Sequence, residues 1–183
     1  MQDLPPVISD RFLRALKVAG AVFIGLGLLA IALPAAMTLA LELLIAVLLL
    51  GWGAAGLVFS LMLRPVRGWV SAALFFALVF ALGAVFIAAP QAGIATLTLL
   101  LIGVFAVEGV SQVVIGLQMR ERVAGWGWIV FSGVSSLTLG ALVIAGWPAS
   151  AAWVLGLLAG LNFLSTGITL IMVAAGLTSV RRA

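Results

Sequence analysis

The chain has 183 residues, of which 66% are hydrophobic and only 8% are charged. A soluble domain averages about 25% charged residues, so this chain has too little polar surface for a globule in water. It contains no Cys and no His, which excludes disulfides, thiolate metal sites and the most common metal ligand. The net charge of +4 does not indicate nucleic-acid binding, because the basic residues are scattered and form no basic patch.

Six apolar runs follow one another along the chain, each close to the roughly 20 residues that cross a bilayer. We predict spanning helices at residues 15–33, 39–63, 69–89, 94–119, 126–145 and 151–177. Residues 1–14 are predicted as a cytoplasmic or interfacial segment, and residues 15–182 as a single six-helix transmembrane domain. The first run also resembles a secretory signal, but its glycine–proline pattern recurs in later runs, which favours a retained helix.

The basic residues lie only in alternate connections between the predicted helices. They are Arg11, Arg14, Lys17, Arg64, Arg67, Arg120, Arg122, Arg181 and Arg182. The other connections, around Pro34, Pro90 and Pro148, contain no Lys or Arg. Cytoplasmic loops of membrane proteins carry an excess of basic residues, so we expect a multi-pass protein with both termini in the cytoplasm.

An internal repeat connects the six runs. The segments 27–34, 83–90 and 140–148 read GLLAIALP, GAVFIAAP and GALVIAGWP, the last with one residue inserted. The prolines that end them are 56 and 58 residues apart, which is the length of a helical hairpin. Each unit crosses the membrane twice, so all three have the same orientation. We therefore predict an all-α integral membrane fold of three parallel hairpin repeats, at about 15–64, 69–120 and 126–182.

This arrangement resembles the HdeD-type acid-resistance membrane proteins, a family built of short repeats. The resemblance rests on a glycine before the outer proline of each unit, glycine in the return helix, and arginine in the inner loop, such as Arg64 and Arg120. It covers residues from about 15 to 182. It implies a bacterial inner-membrane protein linked to acid or general stress tolerance, and it supplies no catalytic residue.

Polar residues recur at helical spacing in the fourth, fifth and sixth runs, where i, i+3 and i+4 positions share one face. Counted from the outer prolines at about 1.5 Å per residue, several of them lie within one helical turn in height. We therefore predict one polar cluster among these three spans. The candidate intramembrane polar or proton site consists of Glu108, Ser111, Gln112, Ser132, Ser136, Asn162, Ser165 and Thr166.

Two interpretations of this cluster stay open. Ser, Thr, Asn and Gln commonly provide hydrogen bonds between membrane helices, which would make the cluster structural. Glu108 differs, because an acid deep in a span is either a structural hydrogen-bond partner or a group that senses or carries protons. Glu42, near the outer end of the second span, is interpreted as a solvated interfacial acid, and acid sensing from the outer side stays open for it.

The sequence supports one main function and one alternative. The main expectation is a non-enzymatic stress protein that acts on membrane integrity or proton tolerance, with membrane lipids and further copies of the chain as partners. The alternative is a small channel or transporter for protons or a small solute, using the polar cluster around Glu108. A lipid-active enzyme is disfavoured, because one buried acid without His or Cys offers little acid–base chemistry. We expect no cofactor, metal or nucleic-acid partner.

Overall fold

The computed structural model describes residues 10–121 and 124–180, and every regular element among them is an α-helix. The helices are α1 (Asp10–Ala32), α2 (Pro34–Met62), α3 (Trp69–Ala88), α4 (Pro90–Gln118), α5 (Trp126–Ala145) and α6 (Ala151–Val180). Each of these helices is long and apolar enough to cross a membrane, which confirms the predicted all-α class with six apolar helices of spanning length. Residues 1–9 of the predicted N-terminal segment, Arg122, Arg181 and Arg182 lie outside the described residues.

Two of the repeated prolines mark both the end of one helix and the start of the next. α1 ends at Ala32 and α3 at Ala88, each two residues before a proline, because proline disfavours helical backbone in the residue before it. Pro34 and Pro90 are themselves the first residues of α2 and α4, where a missing N–H costs no helical hydrogen bond. These two helices therefore begin earlier than the predicted starts at 39 and 94.

Local contacts define the short connection between α2 and α3. The Arg64 guanidinium lies 4.0 Å from the centroid of the Trp69 ring, a cation–π contact. Gly68 has a φ of 98°, a left-handed conformation that glycine adopts without steric cost. Its carbonyl accepts a hydrogen bond from Ser71 Oγ at 2.8 Å. These contacts hold an arginine and a tryptophan beside each other at the start of α3.

The chain forms two compact units, each of which is described separately. Of the described residues, the first contains those up to Met37 and those from Leu155 onward, and so combines α1 with most of α6. The second is Thr38–Val154, which contains most of α2 together with α3, α4 and α5. Both α2 and α6 run from one unit into the other.

In the first unit, α1 and α6 contact each other through glycines at two levels. A Cβ atom on Gly20 would lie 2.9 Å from the Gly167 carbonyl oxygen, and one on Gly167 would lie 2.7 Å from that of Gly20. In the same way, a Cβ atom on Gly27 would lie 2.9 Å from the Gly160 carbonyl oxygen, and one on Gly160 would lie 3.1 Å from that of Gly27. The glycines are seven residues apart in both helices, so two antiparallel backbones approach closely along one face.

In the second unit, two further helix pairs make similar close contacts. On α4 and α5, Cβ atoms built on Gly109 and Gly133 would lie 2.8 and 2.7 Å from each other's carbonyl oxygens. On α2 and α3, a Cβ on Gly53 would lie 2.6 Å from the backbone nitrogen of Phe80. We call these three contacts, α1 with α6, α2 with α3 and α4 with α5, the glycine seams.

The glycine seams use the same position of each predicted repeat. Gly53, Gly109 and Gly167 each follow the proline of their repeat by 19 residues, and each faces the backbone of the neighbouring helix. In every seam, the second helix of one predicted repeat contacts the first helix of another. The glycine seams therefore join different repeats, although the sequence repeat itself is a hairpin.

Candidate functional site

The polar residues predicted on α4 form one hydrogen-bonded pair. Gln112 Nε2 donates to Glu108 Oε1 at 2.9 Å, one helical turn away. Glu108 and Ser111 are exposed, whereas Gln112 is half-buried and its Oε1 has no hydrogen-bond partner among the described residues. The exposed face beside Glu108 is an open, mostly apolar groove lined by Leu99, Leu100, Gly103, Val104, Val107 and Glu108. The pair therefore presents a carboxyl group on an apolar helix surface.

The candidate residues of α5 flank the seam with α4. Ser132 directly precedes Gly133 and is exposed, and Ser136 is half-buried. Ser135, between them, donates to the Phe131 carbonyl oxygen at 2.8 Å, which is a bond within its own helix. Glu108 in turn directly precedes Gly109, so the acid and Ser132 both adjoin the glycines at which α4 and α5 meet.

The candidate residues of α6 belong to the first compact unit. Asn162 and Ser165 are exposed and Thr166 is half-buried. Ser165 Oγ donates to the Asn162 carbonyl oxygen at 2.9 Å, and Thr169 Oγ1 donates to the Ser165 carbonyl oxygen at 2.8 Å. These bonds stay within one helix. The single cluster of α4, α5 and α6 side chains stays a prediction.

The structure identifies a buried acid that the sequence interpretation placed in solvent. Glu42 on α2 is 0% exposed, so its interpretation as a solvated interfacial acid is wrong. It lies against α4, where Gly93 makes room for it: a Cβ atom on Gly93 would overlap the Glu42 carboxyl group. Gly93 of α4 thus lies directly against a buried carboxyl group of α2.

A periodic signal in the sequence could have revealed this burial. The buried residues of α2 are Thr38, Glu42, Ala46, Gly53, Gly56 and Ser60. At 3.6 residues per turn, all of them lie within about 40° of Glu42 around the helix. Glu42 therefore shares its face with the small residues through which α2 contacts its neighbours. Counting residues from the helix end predicts how deep Glu42 lies along the helix axis. It does not predict which side of the helix carries it, and so does not predict its burial.

Ser60 and Thr98, two other buried polar residues, form hydrogen bonds within their own helices. Ser60 Oγ donates to the Gly56 carbonyl oxygen at 2.7 Å, and Thr98 Oγ1 donates to the Ile94 carbonyl oxygen at 2.8 Å. Neither oxygen of the Glu42 carboxyl group has a hydrogen-bond partner among the described residues. An ionised carboxylate can only accept hydrogen bonds, and buried acceptors are normally satisfied. Glu42 is thus an exception that packing alone does not explain.

Proton exchange is the chemistry that these side chains can offer. Glu42 and Glu108 are the acids within α2 to α6, one enclosed and one on an exposed face. In the part of the chain that the structure describes, no three His, Cys, Asp or Glu residues come together as metal ligands would. Both acids lie in helices of spanning length, where ionisable residues commonly mark functional sites.

Comparison with known proteins places the chain in a family. Residues 18–87 and 77–145 each match the family model described as "Short repeat of unknown function (DUF308)", and together they cover more than two thirds of the chain. The second match begins 59 residues after the first, close to the predicted period, so the internal repeat is confirmed. No curated protein and no solved structure matches the chain significantly. The chain therefore belongs to the DUF308 family of short-repeat proteins.

Proposed function

We propose that this protein is a non-enzymatic, multi-pass protein of the bacterial inner membrane that supports acid or general stress tolerance. In this proposal it acts on membrane integrity or on proton tolerance, with membrane lipids and further copies of itself as partners. The glycine seams carry the proposal, because direct contact between helix backbones favours a closely packed helical assembly. The resemblance of the repeat to the HdeD-type proteins supports the link to acid stress.

A second function is favoured by the Glu108–Gln112 pair. A hydrogen-bonded carboxyl and amide on the exposed face of a spanning helix could line a path for protons or for a small solute. Two more polar residues lie near this pair. Ser111 on α4 and Ser132 on α5 are within two residues of Gly109 and Gly133, the glycines at which the two helices meet. This alternative makes Glu108 the residue on which transport depends.

Proton flux into liposomes distinguishes the two functions. For the stress protein, we expect liposomes containing the purified protein to dissipate an imposed pH gradient no faster than protein-free liposomes, at acidic or neutral pH. A pH-sensitive dye inside the vesicles measures the rate. Transport would be supported, and the stress-protein proposal contradicted, if the wild type conducts protons, Glu108→Gln abolishes this flux and Glu121→Gln preserves it. Glu121 is a matched control, because it is exposed outside the spans and pairs with Arg120 at 3.5 Å.

The proposed orientation can be tested by labelling single cysteines, because the natural chain contains none. We expect a membrane-impermeant maleimide to label Ala36→Cys, Gln91→Cys and Ala149→Cys in cells whose outer membrane alone is permeabilised. Val66→Cys and Ala124→Cys should react only after the inner membrane is opened. All five positions are exposed, so a difference in labelling reports the side of the membrane. The reverse pattern would contradict cytoplasmic termini.

A further inference from the structure

Glu42 and Gly93 form a local arrangement that encloses one ionisable group. The Glu42 side chain is 0% exposed, and both of its oxygens lack a hydrogen-bond partner among the described residues. Gly93 on α4 directly faces the carboxyl group, and a larger residue there would overlap it. The carboxyl group thus occupies the space that the missing side chain of Gly93 leaves free.

No basic group is available on the helices of this unit that contact α2. α2 contains no other charged residue, and α3 contains none. The one charged residue of α4 is Glu108, which is exposed and lies 15 residues beyond Gly93, about 22 Å along the helix axis. An ionised carboxylate enclosed without a counter-charge is strongly disfavoured, whereas a neutral carboxylic acid carries no charge to be desolvated. The surroundings therefore accommodate the acid with its proton bound.

The equivalent positions of the other repeats show that packing does not require an acid. Glu42 follows Pro34 by eight residues, and Thr98 and Gly156 follow Pro90 and Pro148 by the same number. Thr98 and Gly156 are also buried. A threonine bonded to its own helix, or a glycine, thus fills this position elsewhere. The carboxyl group is specific to the first repeat, which points to chemistry that a hydroxyl group cannot provide.

We propose that Glu42 is a proton-binding site, at which a bound proton keeps α2 and α4 in contact at Gly93 and proton release separates them. An ionised Glu42 needs water or another donor, and no water reaches the side chain, which is 0% exposed, while Gly93 lies against its carboxyl group. Proton loss is therefore coupled to opening of this contact. The inference deepens the proposed function, on which it rests for its biological meaning, by naming the group through which protons act.

Infrared difference spectroscopy of the purified protein in lipid tests the proton. We expect the carbonyl band of a protonated carboxylic acid to be present at pH 7, where a water-exposed glutamate is ionised. Glu42→Gln should lower the intensity of this band, and the matched variant Glu121→Gln, at an exposed position outside the spans, should preserve it. In Glu108→Gln, a band from Glu42 should remain. Absence of the band at pH 7, an undiminished band in Glu42→Gln, or complete loss of the band in Glu108→Gln would overturn the assignment. If Glu42→Gln fails to fold, the spectrum of Glu108→Gln can still overturn the assignment.

Hydrogen–deuterium exchange of the peptide spanning residues 90–98 tests the contact. As pH rises through the range in which the band disappears, we expect protection of this peptide to fall several-fold in the wild type relative to Glu42→Gln. The Glu42→Gln reference removes the intrinsic dependence of exchange on pH. Equal protection in the two proteins would overturn the coupling. Both measurements use purified protein and do not depend on the biological role. If Glu42 proves to be protonated, but a strain lacking this protein survives acid as well as the parent strain, only the proposed stress function is overturned.

Discussion

Replacing Gly53 by alanine is expected to lower the free energy of unfolding by about 1–3 kcal/mol, and replacing it by leucine should lower it further. The new Cβ would lie 2.6 Å from the Phe80 nitrogen and 2.7 Å from Phe80 Cα. Backbone atoms cannot rotate aside as the end of a side chain can, so α2 and α3 must separate. Unfolding of the purified protein in mixed detergent and SDS, followed by tryptophan fluorescence, measures the change.

Gly51 provides a matched control on the same helix. A Cβ built on Gly51 has no atom within 4 Å, and this residue is exposed. Alanine has a higher helix propensity than glycine by up to about 1 kcal/mol, and this gain applies at both positions. Gly51→Ala should therefore leave stability unchanged or raise it. Equal loss of stability in Gly51→Ala and Gly53→Ala would show that the seam between α2 and α3 is not the cause.

The positions of the helices could be predicted because a helix long and apolar enough to cross a bilayer needs about 20 apolar residues, and such runs are visible in the sequence. The predicted runs 69–89 and 126–145 agree with α3 and α5 to within one residue at each end. The predicted starts of α2 and α4 were five and four residues too late, respectively. The predicted starts lie beyond the outer prolines, whereas Pro34 and Pro90 themselves occupy the first helical position, which suits them.

The partners of the helices could not be predicted from the same pattern. Gly51, Gly53 and Gly56 lie within six residues of one another, and any of them permits a close approach. In the structure, Gly51 faces open space, whereas Gly53 and Gly56 contact Phe80 and Phe76 of α3. Which glycine contacts a neighbour depends on the rotation of each helix, and a nearly uniform apolar sequence contains little information about rotation.

The polar site shows the same limit. Depth along a helix follows from residue counting, and the spacing of Glu108 and Gln112 correctly predicted that they share a face, since they are hydrogen-bonded. Exposure does not follow from depth. Glu42, eight residues from the start of α2, is enclosed, whereas Glu108, farther along its helix, is exposed. The small residues on the face of Glu42 were the available signal, because a face of glycine and serine is the one that neighbouring helices cover.

Replacing Gly93 by alanine is expected to cost about 1–3 kcal/mol of stability, because the new methyl group overlaps the Glu42 carboxyl group. The matched control is Gly103→Ala on the same helix, where a Cβ has no neighbour within 4 Å and alanine's helix propensity gives the same gain. Unfolding in SDS again measures both variants. A Gly93→Ala protein as stable as Gly103→Ala would contradict the contact between α2 and α4.

A double-mutant cycle separates this contact from any other effect of Gly93. Glu42→Ala removes the carboxyl group and leaves space beside Gly93, so the added methyl group of Gly93→Ala can be accommodated there. We therefore expect the double variant to be more stable than the sum of the two single changes predicts, with a coupling of about 0.5–3 kcal/mol. Additive effects would mean that the two side chains do not compete for one space. In that case, proton release from Glu42 would have no contact at Gly93 to open.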